Sequence, residues 1–518
     1  MNRHLPHTIT TAKLIAVVAA AALTAGACAG VAGTMITDSQ QSASQSNSTS
    51  GFGGGANTTQ YDYSGSYSGA SAANGSTKSE KSTTISSTTS DQNAALAENG
   101  GTMTITGSTL TKTGDGSSDD NDNFYGTNAI SLTAGSKSKS IISGSELTAT
   151  SSGSNGIFAT DSGTAYANDT TIATSADNSR GLDATYGGKI VANAITASTK
   201  GDHSATVATD RGGGSVSLSN SKLSTSGSGS PLLYSTGDVQ VNQVTGTASG
   251  SQIAGMEGYN TILINNSNLK STNTSKTASD PIANGIIIYQ STSGDAESST
   301  SEHATFQAKD STLSSAITSG SMFYFTNTTA DVVLSNTTLD FDSTKASLIN
   351  ASGNDSNSWG EAGSNGATVN FTGRNQKLKG TVTADTISTV NMYLLDGTTW
   401  TGKANITKNS SASSGSTSKA PITVNIDGSS TWTVTADTTI SALNVAKGGK
   451  VVDADGNTVT IVANGKTVVK GDGDVTVTVT GAYTTTVNAS DDTELSSDVI
   501  DRSAFDTQFG TTTTWSMA

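Results

Sequence analysis

Four segments decide the fold: Gly156-Ile-Phe-Ala-Thr-Asp-Ser-Gly163, Gly181-Leu-Asp-Ala-Thr-Tyr-Gly-Gly188, Ala205-Thr-Val-Ala-Thr-Asp-Arg-Gly212 and Leu232-Leu-Tyr-Ser-Thr-Gly-Asp238. Aligned on Thr160, Thr185, Thr209 and Thr236 they recur after 25, 24 and 27 residues. These gaps are too long for hairpins and too even for loops, and self-similarity at such a period marks a stacked repeat in which one repeat is one coil.

Working outward, a second pattern repeats seven times from Thr102 onward. Its closing aliphatics are Leu110, Leu147, Ile172, Leu223, Leu269, Leu313 and Leu339. Three residues before each stands Gly107, Gly144, Asp169, Asn220, Asn266, Asp310 or Asn336, residues that tolerate a left-handed backbone. A hydroxyl follows each of these: Ser108, Ser145, Thr170, Ser221, Ser267, Ser311 and Thr337. Five residues before each aliphatic lies Ile105, Ile142, Ala167, Leu218, Ile264, Ala308 or Leu334. Period-two alternation turns one face of a short strand inward, and the corner bends the chain before the next strand. Coils stacked at about 4.8 Å would then pair every strand with its counterparts above and below. The fold class is therefore all-β, a parallel β-helix. Leucine-rich repeats lack support in the spacing, and Gly471-Asp-Gly-Asp474 is a lone lookalike of the calcium-binding nonapeptide.

Composition agrees. Of 518 residues only 33% are apolar and 5% aromatic, too little for ordinary packed layers, and four prolines leave long runs free to pair. The formal net charge of −15, with 27 Lys and Arg spread along the chain, argues against a nucleic-acid partner. The single cysteine, Cys28, excludes an internal disulfide framework. It follows a basic start (Arg3, Lys13), an apolar run Leu14 to Leu23 and Ala25-Gly26-Ala27, so residues 1–27 read as a secretory signal peptide. A cysteine at that place resembles a bacterial lipobox, although Ala25 stands where leucine is usual. Two readings stay open, lipid attachment at Cys28 and an ordinary cut.

The remaining divisions are 28–100, a low-complexity flexible linker with Tyr61, Tyr63 and Tyr67; 101–375, the parallel β-helix; 376–490, further coils and a cap; and 491–518, a polar tail. Trp400 and Trp432 close two copies of one unit, and are read as core residues or as sugar anchors. No cofactor is expected. Calcium is possible at Asp115, Asp119, Asp120 and Asp122, a stretch without the glycine and glutamate of an EF-hand loop.

A lyase or hydrolase on this fold needs a base and cations, or paired carboxylates. Of four histidines, His4 and His7 would leave with the signal, and His203 and His303 fall in polar stretches. The best cluster is Asp183, Tyr186, Asp210 and Arg211, with Tyr234 one repeat on, which stacking would gather on the outer surface as a ligand site or a salt-bridge ladder.

The stretches Asn123-Phe-Tyr-Gly-Thr-Asn128, Asp210-Arg-Gly-Gly-Gly214, Ser230 to Asp238, Tyr289 to Asp295 and Ser358-Trp-Gly360 resemble the adhesin-like right-handed β-helix proteins of the pectin-lyase-like fold, found on bacterial surfaces. The resemblance spans about Thr102 to Gly465. It implies an exported scaffold and carries over no catalytic residue. The chain is read as a secreted or cell-surface, non-catalytic scaffold that meets glycans or host surface molecules by multivalent contact, with a membrane reached only if Cys28 is lipidated. The rivals are a polysaccharide lyase or glycoside hydrolase on the same fold and a structural surface-layer component.

Overall fold

The computed structural model describes residues 60–292, 295–296, 303–356 and 358–517. The signal-like segment, Cys28 and the first half of the linker lie outside the described residues.

One coil shows how the chain is wound. Ile157–Thr160 forms a strand on the first face; after a corner at Asp161 to Gly163, Thr164–Thr174 runs along the second face and bends into the third. The bend is Asp169, left-handed at φ 51°. The chain returns through residues 175–181 to Leu182–Ala184, which lies parallel to the strand it left, Leu182 over Ile157 and Ala184 over Ala159. Repetition builds a first face of thirteen parallel strands. The second and third faces are parallel too, joined through the unbroken strands Thr164–Thr174 and Lys189–Thr199. The molecule is a parallel β-helix.

The vertical register follows from which side chains the tube can accept. Ile85, Leu110, Leu147, Ile172, Ala197, Leu223, Gly246, Leu269, Leu313 and Leu339 occupy successive rungs of one row on the third face. The seven expected aliphatics are all in it. The three rungs the periodicity misses carry Ile85, Ala197 and Gly246, whose corners are Ser82 (φ 49°), Ala194 (φ 54°) and Gln243 (φ 56°). Side chain is absent at Gly246 because Leu232 fills the space, 2.7 Å from where a Cβ would stand.

At the corners the hydroxyls work as a ladder. Ser145 Oγ accepts the Ser108 N–H at 3.1 Å and donates to its own Ser143 carbonyl at 2.8 Å. Ser221 does the same for Ile195, and Ser311 for Ser267. Each bond satisfies an amide that the bend would strand without a strand partner, for a net gain of about 1 kcal/mol.

The threonine alignment slips by one residue in the third segment. Thr160 and Thr185 stack through their hydroxyls at 2.8 Å, but Thr209 sits over Ala184, since the inward place must go to Val207 over Leu182.

Coils begin earlier than the composition implies. Gly69–Asn74, Thr77–Lys81 and Thr84–Ser87 are a complete first coil, so residues 69–98 belong to the solenoid and not to a linker. Ala73, Ala95 and Ala97 are fully buried, and small inward residues pack without the bulky aliphatics that make a repeat visible. On the second face of this coil the inward places over Met103 and Ile105 hold Lys78 and Glu80, paired at 3.4 Å, with Ser71 Oγ donating to Glu80 at 2.7 Å. Charges over an open β edge discourage another edge from docking there.

The other end is closed differently. Trp400 and Trp432 stack at 4.7 Å, fully buried, with their indole N–H groups on the Gly380 and Gly402 carbonyls at 3.0 Å, so both are core and neither is a sugar anchor. An antiparallel hairpin, Thr460–Ala463 with Lys466–Val469, follows. The polar tail then turns back as a strap along the outside of the second face. Gln307 bonds the Glu494 carbonyl and Ser496 amide, Gln240 bonds Asp498 and Ile500, and Arg502 donates to the Ser217 and Ala192 carbonyls at 2.8 Å. Phe505 meets the Tyr166 ring edge-on at 5.9 Å. The tail reads as solvated because its anchors are mostly backbone groups.

Two outcomes follow. Ala194→Gly removes an alanine from the left-handed region, where it costs about 1–2 kcal/mol, at a smaller entropic cost; the urea midpoint should rise by the equivalent of about 0.5–1 kcal/mol. Replacing Lys78 with Met and Glu80 with Ile together should drive end-to-end association beyond that of the wild type, read by light scattering after gel filtration.

Candidate functional site

The outer row of the first face runs Phe158, Asp183, Ala208, Tyr234, Gly255, Ile287 and Tyr324, one residue per coil. Ala208 and Gly255 are too small to fill it. A cleft of about 360 Å³ forms there, lined among others by Phe124, Arg180, Asp210, Tyr234, Tyr289 and Trp359.

One wall is a short helix, α1 (Asp119–Tyr125), capped by Ser118, whose Oγ accepts the Asn121 N–H at 3.4 Å, and ended by Gly126 in the left-handed region at φ 72°. Asp122 pins it. The carboxylate enters space that a Cβ on Gly116 or Gly153 would occupy, at 1.6 and 2.5 Å, and accepts the Thr127 hydroxyl at 2.5 Å. Burial pushes the Asp122 carboxyl up to about 7. The four acids considered for calcium therefore do not converge: Asp115 caps the Ser152 amide at 3.0 Å, Asp119 and Asp120 are exposed, and Asp122 is enclosed. Asp115 lies before the helix, the three helical acids differ in exposure, and the four do not form a converging ligand group, so the expected calcium site is not formed.

The charged centre is Arg180, just before the second repeat segment. Its guanidinium donates to Asp210 at 2.9 Å and Asn123 at 2.7 Å, and stands 3.7 Å from Asp183. Asp183 is fully buried, and neither of its oxygens accepts a hydrogen bond. Burial pushes both carboxyls up; Arg180 opposes the shift, and the charge of Asp183 adds to it at Asp210. The Arg211 amide donates to Asp210 at 3.0 Å, while its guanidinium stacks 3.6 Å above the Phe124 ring and pairs with Asp295 at 2.8 Å.

Aromatic groups complete the cleft. The Tyr234 hydroxyl donates to Glu257 at 3.1 Å, and Tyr289 and Trp359 pack at 4.6 Å. Burial pushes the Glu257 carboxyl up.

Of the five residues expected to form a site, Asp210 and Tyr234 line the cleft. Asp183 lies beneath Arg180, and Arg211 braces the helix wall. Tyr186 joins another assembly, stacked on Tyr125 at 5.5 Å with Tyr61 edge-on at 5.7 Å; Tyr63 and Tyr67 extend it, so the tyrosines assigned to the linker pack against the solenoid. The group is also not on the outer surface, since Asp183, Tyr186 and Asp210 are buried. Insertions between coils build walls over them. The sequence reading does not include Arg180, Phe124, Tyr289 or Trp359 among the site residues; Phe124, Tyr289 and Trp359 stand in the stretches that carry the resemblance, and Arg180 carries no signal beyond its place beside Gly181.

The architecture is thus a parallel β-helix with an aromatic and charged cleft on one face. No protein-family model matches the sequence, and no curated protein matches it. Among solved structures it is similar to a chain in the cryo-EM structure of the Vag8–C1 inhibitor complex, at 13% identity and a TM-score of 0.38, covering 80% of this chain and 98% of that one.

A raised carboxyl binds its proton more tightly in the folded state, so its contribution to stability is present below the unfolded value near 4 and is lost as pH rises to about 7. Asp122→Asn should flatten that part of the decline, with a gain over wild type at pH 8 on the order of a few kcal/mol and little difference near pH 4. Urea titrations at both pH values measure it.

Proposed function

We propose that this protein is a secreted or cell-surface scaffold that binds glycans in the first-face cleft without transforming them. The observation that carries the reading is the make-up of the cleft: Tyr234, Tyr289, Trp359 and Phe124 offer flat apolar surface, and Arg180, Asp210 and Asp295 hold fixed polar groups beside it. Sugars present apolar ring faces and hydroxyl edges, and a site of this kind meets both. A bound sugar would find carboxylates of the cleft already engaged, Asp210 by Arg180 and the Arg211 amide, Asp295 by the Arg211 guanidinium and Asp280 by the Asn284 amide, which favours recognition over proton transfer.

The third face supports the multivalent part of the reading. Thr171, Thr196, Thr245 and Thr247 are exposed there, in alternation with the buried row, on strands Thr164–Thr174, Lys189–Thr199 and Thr245–Ala248. Repeated hydroxyl contacts along a rigid rod gain strength by avidity. Export is argued from the signal-like residues 1–27, and surface retention from Cys28, whose acylation mass spectrometry of the mature amino terminus would detect.

The second reading is a glycoside hydrolase, favoured by one observation: two carboxyls, Asp183 and Asp210, sit at one guanidinium with their acidity weakened. One experiment separates the two. Purified protein is screened against oligosaccharides for binding and for new reducing or unsaturated ends. Binding without products, weakened at least tenfold by Trp359→Ala or Tyr289→Ala, supports the scaffold; products that disappear in Asp210→Asn overturn it.

A further inference from the structure

Far from the cleft, three metal-ligating side chains meet where the strap crosses the second face. His303 precedes the strand Ala304–Lys309, Asp331 lies in Thr329–Ser335, and Asp492 sits in a single helical turn of the strap, Asp491–Thr493. One ligand atom from each falls within 4.8 Å of the other two, the one such grouping among the described residues. We propose that this is a divalent-metal site, of the zinc class, that clips the carboxyl-terminal strap to the solenoid.

The geometry is prepared on both sides. Asp331 is buried, with one oxygen accepting the Asn370 amide at 2.7 Å; Asn370 in turn accepts Asn391 at 3.0 Å. Its other oxygen faces His303 Nδ1 at 2.7 Å. Such outer bonds orient a carboxylate for an ion. On the strap, Thr493 accepts Arg374 Nε at 2.7 Å and Glu494 pairs with the same guanidinium, which holds the turn bearing Asp492 in place.

Charge points the same way. The strap brings Asp492 up to Asp331, and Arg374, the guanidinium at this junction, is already committed to Asp396 and Glu494. Two carboxylates here face a single imidazole, which can offset at most one of their charges, and a divalent cation supplies the rest. One nitrogen and two oxygen ligands with room for water suit zinc better than calcium, which takes six to eight oxygens. Ligands about 2.1 Å from one ion lie at most about 4.2 Å apart, so closure requires only a small side-chain adjustment.

The test uses the full chain after chelator treatment. Calorimetric titration with zinc chloride should give one site that His303→Gln and Asp492→Asn each weaken at least tenfold; both residues are exposed, so folding is preserved, and circular dichroism checks it. Hydrogen exchange at residues 490–502 should slow when zinc is added to wild type and not to Asp492→Asn. No zinc binding by wild type, equal binding by both variants, or tighter binding of calcium than of zinc would each overturn the proposal.

Discussion

Everything in this molecule depends on backbone pairing between successive coils in vertical register. A coil has three short strands and buries only a few side chains, far too little to hold itself together. Stacked, each strand bonds to the coils on both sides, and the inward residues form continuous rows. Register is kept by two devices at the bend between the second and third faces: a left-handed residue that turns the chain, and a hydroxyl that carries the hydrogen bond where the strand cannot. Their spacing tolerates variation in the row itself, so Ala197 and Gly246 fit among leucines because neighbours such as Leu232 take up the volume.

A rod of pairing strands has a weakness at each end and along each side. Here Lys78 and Glu80 place charge over the first coil, and stacked tryptophans and a hairpin finish the last ones. The strap covers much of the second face, reusing Gln240, Gln307 and Ser217 as acceptors and donors for a passing backbone. The first face is left to insertions, and these create the cleft. A row of outward residues makes a site only where small ones, Ala208 and Gly255, lie between large ones and a helix or loop rises beside them.

Burial of charge is the cost of that arrangement. Arg180 holds Asp210 and approaches Asp183, so removing the arginine would leave two enclosed carboxylates without a counter-ion. The same constraint that raises their affinity for protons keeps the floor of the cleft fixed.

The fold was legible in the sequence because its signals are local: an apolar residue, a turn-former and a hydroxyl at constant offsets report a corner wherever they occur. Legibility failed where the local signal is weak, as in residues 69–98, whose inward alanines look like low complexity, and in the strap, whose polar residues bind backbone hundreds of residues away. The site was half legible. Asp210 and Tyr234 could be named from the repeats, since stacking gathers residues at equal positions. Arg180, Phe124, Tyr289 and Trp359 come from different coils and insertions, and no spacing in the chain states their distance in space. Thus the sequence by itself determined the winding, the corners and the inward rows, which are fixed by side-chain alternation and turn chemistry. Only the tertiary structure decided the cleft, the buried Arg180 centre and the path of the strap, because contacts between distant segments depend on where whole coils and insertions come to rest.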